Sequence, residues 1–122
     1  MSHSDLVFLT QAILLYGSVS TLLHLPLWAL AYQWKRFAVA DLMLPFAAFL
    51  AWSACIVLEA GRTASLANAA VEPLLAVALS LAIYSIRIAS RIPASWPISL
   101  LTNALVALAV IAMRFAMPGL PE

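Results

Sequence analysis

Residues 6–34 have the sequence LVFLTQAILLYGSVSTLLHLPLWALAYQW, which contains no Asp, Glu, Lys or Arg. A helix that crosses the hydrocarbon core of a bilayer needs about 20 mostly apolar residues, because all of its backbone polar groups must be satisfied within the segment. This stretch exceeds that length, and it lacks the preceding Lys or Arg of a secretory signal peptide. We therefore expect residues 6–34 to form a retained transmembrane helix.

Three further apolar stretches follow the first one. They cover about residues 42–60, 73–91 and 97–117. Asp41 stands where an N-cap residue would precede the second span, and Pro73 and Pro97 stand where the first turn of a helix tolerates a missing N–H. The sequence predicts an all-α membrane protein, a single integral membrane domain over residues 1–122. Its architecture should be a bundle of four transmembrane helices with short loops.

The composition of the whole chain excludes several classes of protein. Of its 122 residues, 66% are hydrophobic and 9% are charged, and the formal net charge is +1. Average soluble domains are about 45–50% apolar, and nucleic-acid binding requires a basic patch that is missing here. The single cysteine, Cys55, cannot form an internal disulfide, and His3 and His24 are too few for a protein-only metal site. We expect neither a nucleic-acid partner nor a bound metal.

The distribution of Lys and Arg predicts the orientation of the chain, because cytoplasmic loops carry an excess of these residues. Two of them, Arg62 and Arg114, lie on one side of the predicted bundle. The other four lie on the opposite side, namely Lys35, Arg36, Arg87 and Arg91. We expect this second side to be cytoplasmic in a bacterial inner membrane, with both termini outside. Its four basic residues should contact lipid headgroups through their long stems.

The first span has a polar face that indicates contact with protein. This face comprises Thr10, Gly17, Thr21, His24 and Trp28. Gly17 should allow a close helix approach, and His24 should form a hydrogen bond at a helix interface, since ionisable residues within a span usually have partners. A quinone or haem contact at His24 is the alternative, but no other residue supports it. Ligation of a haem by two histidines would require His3 as the second ligand, and His3 lies at the opposite end of the span.

The second and fourth spans also align polar and aromatic residues at helical spacing. On the second span these are Asp41, Ala48, Trp52, Cys55, Glu59 and Arg62. On the fourth they are Ser99, Asn103, Ala107, Val110 and Arg114. Glu59 is the candidate for a buried ionisable group, and Asn103 should fix helix register. We expect an ion-pair network near the outer surface, made of Glu59, Arg62, Glu72 and Arg114.

The third span carries two different faces. One consists of small residues, Ala78, Ala82, Ser85 and Ala89. The opposite face consists of Ala76, Ser80, Tyr84, Arg87 and Arg91. Because small residues let two helix backbones approach closely in a membrane, we expect a helix neighbour on the small face.

The motifs of common catalytic sites are missing from the sequence, including HExxH, CxxC and Gly-x-Ser-x-Gly. We expect no catalytic residues. The leading hypothesis is a small non-catalytic subunit, or an assembly or stabilising factor, of a larger membrane complex, because polar faces on all four helices would need partner chains beside the lipids. The alternative is a homo-oligomeric transporter or channel that uses the Glu59 and Asn103 faces.

Overall fold

The computed structural model describes residues 3–58 and 66–117, and within these ranges the chain is helical, with no strand. The elements are α1 (His3–Gln33), a 3-10 helix (Val39–Met43), α2 (Leu44–Val57), α3 (Leu66–Ala89) and α4 (Trp96–Ala116). Four segments are long and apolar enough to cross a membrane, namely Thr10–Gln33, Val39–Val57, Ala70–Ala89 and Trp96–Ala116. The prediction of an all-helical chain with four such helices is confirmed.

Two predicted helix starts are wrong. Asp41 is not the N-cap of the second helix but a residue of the 3-10 helix, where its carboxylate accepts a hydrogen bond from the backbone N–H of Ala38. Pro73 does not open the third helix, since α3 begins at Leu66 and contains this proline. The turn before Pro73 is held by side chains, because the Asn68 amide donates to the carboxylate of Glu72.

The helices pack around a core shared by all four. α2, α3 and α4 contact one another, while α1 packs against α2 and α3. The 3-10 helix at the start of the second span contacts both α2 and α4. The largest almost completely buried apolar side chains of this core are Trp52, Tyr84, Leu44 and Ile88, and Trp28 is buried beside them.

The predicted faces of the second and fourth spans lie inside the bundle. Asp41, Trp52 and Cys55 are buried on the second, and Asn103 and Arg114 are buried on the fourth. These residues of the second and fourth spans therefore contact protein within the chain.

The described part of this chain does not supply the helix neighbour that was expected on the small face of the third span. Its small residues Ala78 and Ala82 are exposed, whereas Ser80, Tyr84 and Arg87 on the opposite face are buried. The polar face turns inward because an unpaired polar or charged group is costly in apolar surroundings, whereas an alanine loses little by facing outward.

Gly17 on α1 also differs from expectation. A Cβ atom added at this position would meet no atom of another helix within 4 Å among the described residues, so none of the described helices approaches Gly17 closely. α1 contacts α3 on either side of Gly17, where the Tyr16 hydroxyl donates to the carbonyl of Ala70 at 3.4 Å and the buried His24 lies against Ser80.

Candidate functional site

Asp41 lies at the centre of a buried polar cluster at one end of the bundle. Its Oδ2 accepts hydrogen bonds from the backbone N–H of Ala38 at 3.0 Å and from the Tyr84 hydroxyl at 2.9 Å. Its Oδ1 accepts from Nη1 of Arg87 at 2.5 Å and from the Ser99 hydroxyl. These donors occupy both carboxylate oxygens. Asp41 thereby links the 3-10 helix to α3 and α4.

Arg87 is the positive partner of this cluster. Its side chain is 5% exposed and forms an ion pair with Asp41. Nη2 donates to the backbone carbonyl of Arg36 at 2.8 Å, and the guanidinium lies 5.3 Å from the centre of the Tyr84 ring. The expectation that Arg87 contacts lipid headgroups is wrong, because the buried carboxylate of Asp41 holds the guanidinium inside the bundle.

Further contacts tie the backbone around Asp41 to other helices. The Trp28 indole on α1 donates to the carbonyl of Asp41 at 3.1 Å. The Asn103 amide on α4 donates to the carbonyls of Ala40 at 3.0 Å and Ser99 at 2.9 Å. Asn103 thus joins α4 to the segment that enters the second span, which agrees with a role in fixing register.

The other three basic residues expected at lipid headgroups lie at this same end. Lys35 and Arg91 are exposed and adopt left-handed backbone angles, with φ of 59° and 60°, just after α1 and α3. Arg36 is half-buried, stacks 5.2 Å from the centre of the Trp34 ring and donates to the carbonyl of Ile88. Contact of Lys35, Arg36 and Arg91 with headgroups stays a prediction.

A second buried ion pair lies at the opposite end of the bundle. Oε1 of Glu72 is 3.4 Å from Nε of Arg114 and accepts from the Trp52 indole at 3.0 Å. Oε2 of the same carboxylate accepts from the Asn68 amide at 2.8 Å. Glu72 and Arg114 of the expected network thus meet, and they connect α2, α3 and α4. Its other two members lie outside the described residues, namely Glu59 and Arg62.

His24 is fully buried between α1 and α3. Its Nδ1 lies 2.7 Å from the carbonyl of Ser20, its Nε2 lies 2.7 Å from the Ser80 hydroxyl, and its ring stacks near Trp28. This geometry is that of a histidine hydrogen-bonded at a helix interface. A haem or quinone at His24 would have to displace one of these two partners.

The Asp41–Arg87 pair, the His24–Ser80 contact and the Glu72–Arg114 pair form three polar layers at successive heights along the bundle. Along α3, Glu72 and Arg87 are separated by 15 residues, or about 22 Å at 1.5 Å per residue, and Ser80 lies near the midpoint. Both ion pairs therefore fit within the ~30 Å thickness of a hydrocarbon core.

Sequence reasoning missed Asp41, Tyr84 and Ser80 as members of these layers. A usable signal was present on the third span, where Ser80, Tyr84 and Arg87 share one face. A charged residue on an otherwise polar helix face within a membrane is expected to point toward protein rather than lipid.

The described residues contain no group of three or more His, Cys, Asp or Glu side chains that could hold a metal ion. Comparison with protein-family models, with curated proteins and with solved structures gives no match to this chain. Functional inference therefore rests on the geometry of the three polar layers and of the surface around them.

The Asp41 cluster predicts unequal effects for two neighbouring arginines. Arg87→Met should lower the free energy of unfolding by about 3–5 kcal/mol, because it leaves the Asp41 charge buried without its partner. Arg91→Met, one turn away on an exposed site, should change it by less than about 0.5 kcal/mol. Unfolding in mixed micelles with rising dodecyl sulfate content measures both, and equal effects would contradict the assigned burial of Arg87.

Proposed function

We propose that this chain is a small non-catalytic multi-pass membrane protein that acts by helix packing, as a subunit or assembly factor of a larger membrane complex. The observation that supports this most directly is the bare surface of α1. Only 11% of its apolar segment is buried within the chain, against 33–44% for the other three spans. α1 therefore has the most surface available to a helix of another chain.

The buried charged side chains of the described residues are not available to a partner. The sequence indicated that polar faces on all four helices would need partner chains, but most described residues of these faces are buried or half-buried in the bundle, with Thr10 and Arg91 exposed. Among the described residues, the four buried charged side chains form two ion pairs, Asp41 with Arg87 and Glu72 with Arg114. A partner would thus be recognised by van der Waals packing against apolar helix surface, which contributes to helix association in lipid.

The outward face of α1 has the residue pattern for such packing. Exposed residues recur at alternating spacings of three and four, as in helices that cross at a small angle. They are Leu15, Ser18, Leu22, Leu25 and Ala29. This face consists of three leucines and two small residues, so it offers both large side chains and space for a second helix to approach. We define these five residues as the α1 face.

A native mass spectrum of the gently solubilised protein tests this proposal. We expect single copies of the chain bound to a larger membrane protein. Leu15→Ala with Leu22→Ala should lower the bound fraction about tenfold, which corresponds to about 1.4 kcal/mol. The matched control is Leu50→Ala with Leu108→Ala, because these leucines are as exposed as the first two, at 63% and 62% against 61% and 65%.

Two results of that measurement would overturn the proposal. A chain that is monomeric and free of other proteins would exclude a packing subunit. A pure homo-oligomer would instead favour the alternative of a transporter or channel that uses the Glu59 and Asn103 faces. In the structure Asn103 is bonded within the chain, and Glu59 lies outside the described residues.

We further propose that the chain lies in a bacterial inner membrane with both termini outside. The exposed or half-buried cations Lys35, Arg36 and Arg91 gather at one end, together with the exposed indoles of Trp34 and Trp96. Cationic loops favour the cytoplasmic side, and tryptophans favour the level of the headgroups.

Cysteine labelling tests this orientation in a Cys55→Ala background. Lys35→Cys should react with an impermeant maleimide in inside-out vesicles but not in intact spheroplasts. Leu58→Cys, which is at the opposite end and 76% exposed in the native protein, should show the reverse. If Lys35→Cys reacted only in spheroplasts and Leu58→Cys only in inside-out vesicles, the orientation would be the reverse of the one proposed.

A further inference from the structure

A groove of about 260 Å³ lies between the C-terminal half of α3 and the N-terminal half of α4. Its walls are aliphatic and are formed mainly by Ile83, Ile86, Ile98, Leu101 and Leu105. Arg87 and Thr102 also line it, but Nη1 of Arg87 donates to Asp41, Nη2 donates to the carbonyl of Arg36, and the Thr102 hydroxyl donates to the carbonyl of Ile98. The groove is therefore a site for an apolar ligand.

The groove opens toward the outside of the bundle, where lipid would lie. Ile86 and Leu101 on its two walls are 67% and 59% exposed. The groove is thus a cleft in the outer surface and not an internal cavity. An apolar chain that lies along it would contact both helices at once, which gains dispersion contacts over a flat helix surface.

The depth of the groove matches one leaflet of a bilayer. Trp96, an exposed aromatic residue at the start of α4, marks the expected level of the headgroups. Leu105 lies nine residues further along α4, or about 14 Å deeper at 1.5 Å per residue. This is close to half of the ~30 Å hydrocarbon core. The groove therefore ends near the middle of the bilayer, where the acyl chain of a lipid in that leaflet also ends.

The charge around the mouth of the groove favours an anionic headgroup. Arg91 is exposed and lies between Ser90 and Ile92, both of which line the groove. Lys35 and Arg36 lie at the same end of the bundle. The acidic residue that the described chain has there, Asp41, is buried and already paired with Arg87. The mouth therefore carries uncompensated positive charge.

We propose that this groove binds one acyl chain of an anionic phospholipid whose phosphate contacts Arg91. The aliphatic walls hold the chain, and the cations at the mouth select the headgroup. This site does not depend on the protein partner proposed above, because the groove and the α1 face lie on different helices.

A lipid-competition experiment tests the acyl-chain site. The purified protein is equilibrated with equimolar phosphatidylglycerol and phosphatidylcholine of identical acyl chains, and retained lipids are counted by native mass spectrometry. The wild type should retain one phosphatidylglycerol. Leu101→Trp and Ile86→Trp should each reduce retention severalfold by filling the groove. Leu108→Trp is the control, because Leu108 is 62% exposed on α4 and lies outside the groove.

The same experiment tests headgroup selection with Arg91→Gln. This variant should still retain one lipid, but its preference for phosphatidylglycerol should fall about fivefold, the factor expected for one basic residue near an anionic surface. Lys35→Gln should lower this preference less, because Lys35 is not next to a groove-lining residue in the sequence, whereas Arg91 lies between two of them.

Two outcomes would overturn the proposal. The first is equal retention of the two lipids by the wild type. The second is retention by both groove variants at the level of Leu108→Trp. Circular dichroism and gel filtration establish which tryptophan variants are folded, and either folded groove variant suffices for the comparison.

Discussion

The carboxylate of Asp41 lies in apolar surroundings, where each isolated charge costs several kcal/mol. Its negative charge is tolerable because Arg87 lies against it and because the hydroxyls of Tyr84 and Ser99 also donate to it. These donors come from α3 and α4, so the requirement to satisfy one carboxylate fixes two helices relative to the start of the second span. Much of the remaining geometry follows from this requirement.

The first consequence is the orientation of α3 about its own axis. Because Arg87 must face Asp41, Ser80 and Tyr84 on the same side also turn inward, and Ser80 meets His24 on α1. The alanines of the opposite face are left on the outside. The aliphatic groove between α3 and α4 lies beside the same cluster, and its wall includes Arg87 itself. In lipid, where apolar burial does not drive helices together, such polar contacts contribute to choosing one packing among several.

The sequence was sufficient to locate the four apolar segments, but not to decide for every helix which face points into the bundle. Length and hydropathy locate four apolar segments because the bilayer imposes a physical length on each. Helical periodicity then groups residues on faces, as it did for Trp52 and Cys55. Periodicity alone cannot say which face of α3 points inward, since this depends on Asp41, a residue 46 positions earlier in the chain than Arg87. The expected close approach of a helix at Gly17 is missing for a related reason, because a small residue permits a close contact without requiring one.

The central claim is that Asp41 and Arg87 act as one buried pair, and a double-mutant cycle of Asp41→Asn and Arg87→Gln tests it most directly. Unfolding free energies of the wild type, both single variants and the double variant give the coupling between the two side chains. The structure predicts a coupling above about 1 kcal/mol, with the double variant less destabilised than the sum of the single variants. Additivity within about 0.3–0.5 kcal/mol, the behaviour of distant sites, would contradict the claim.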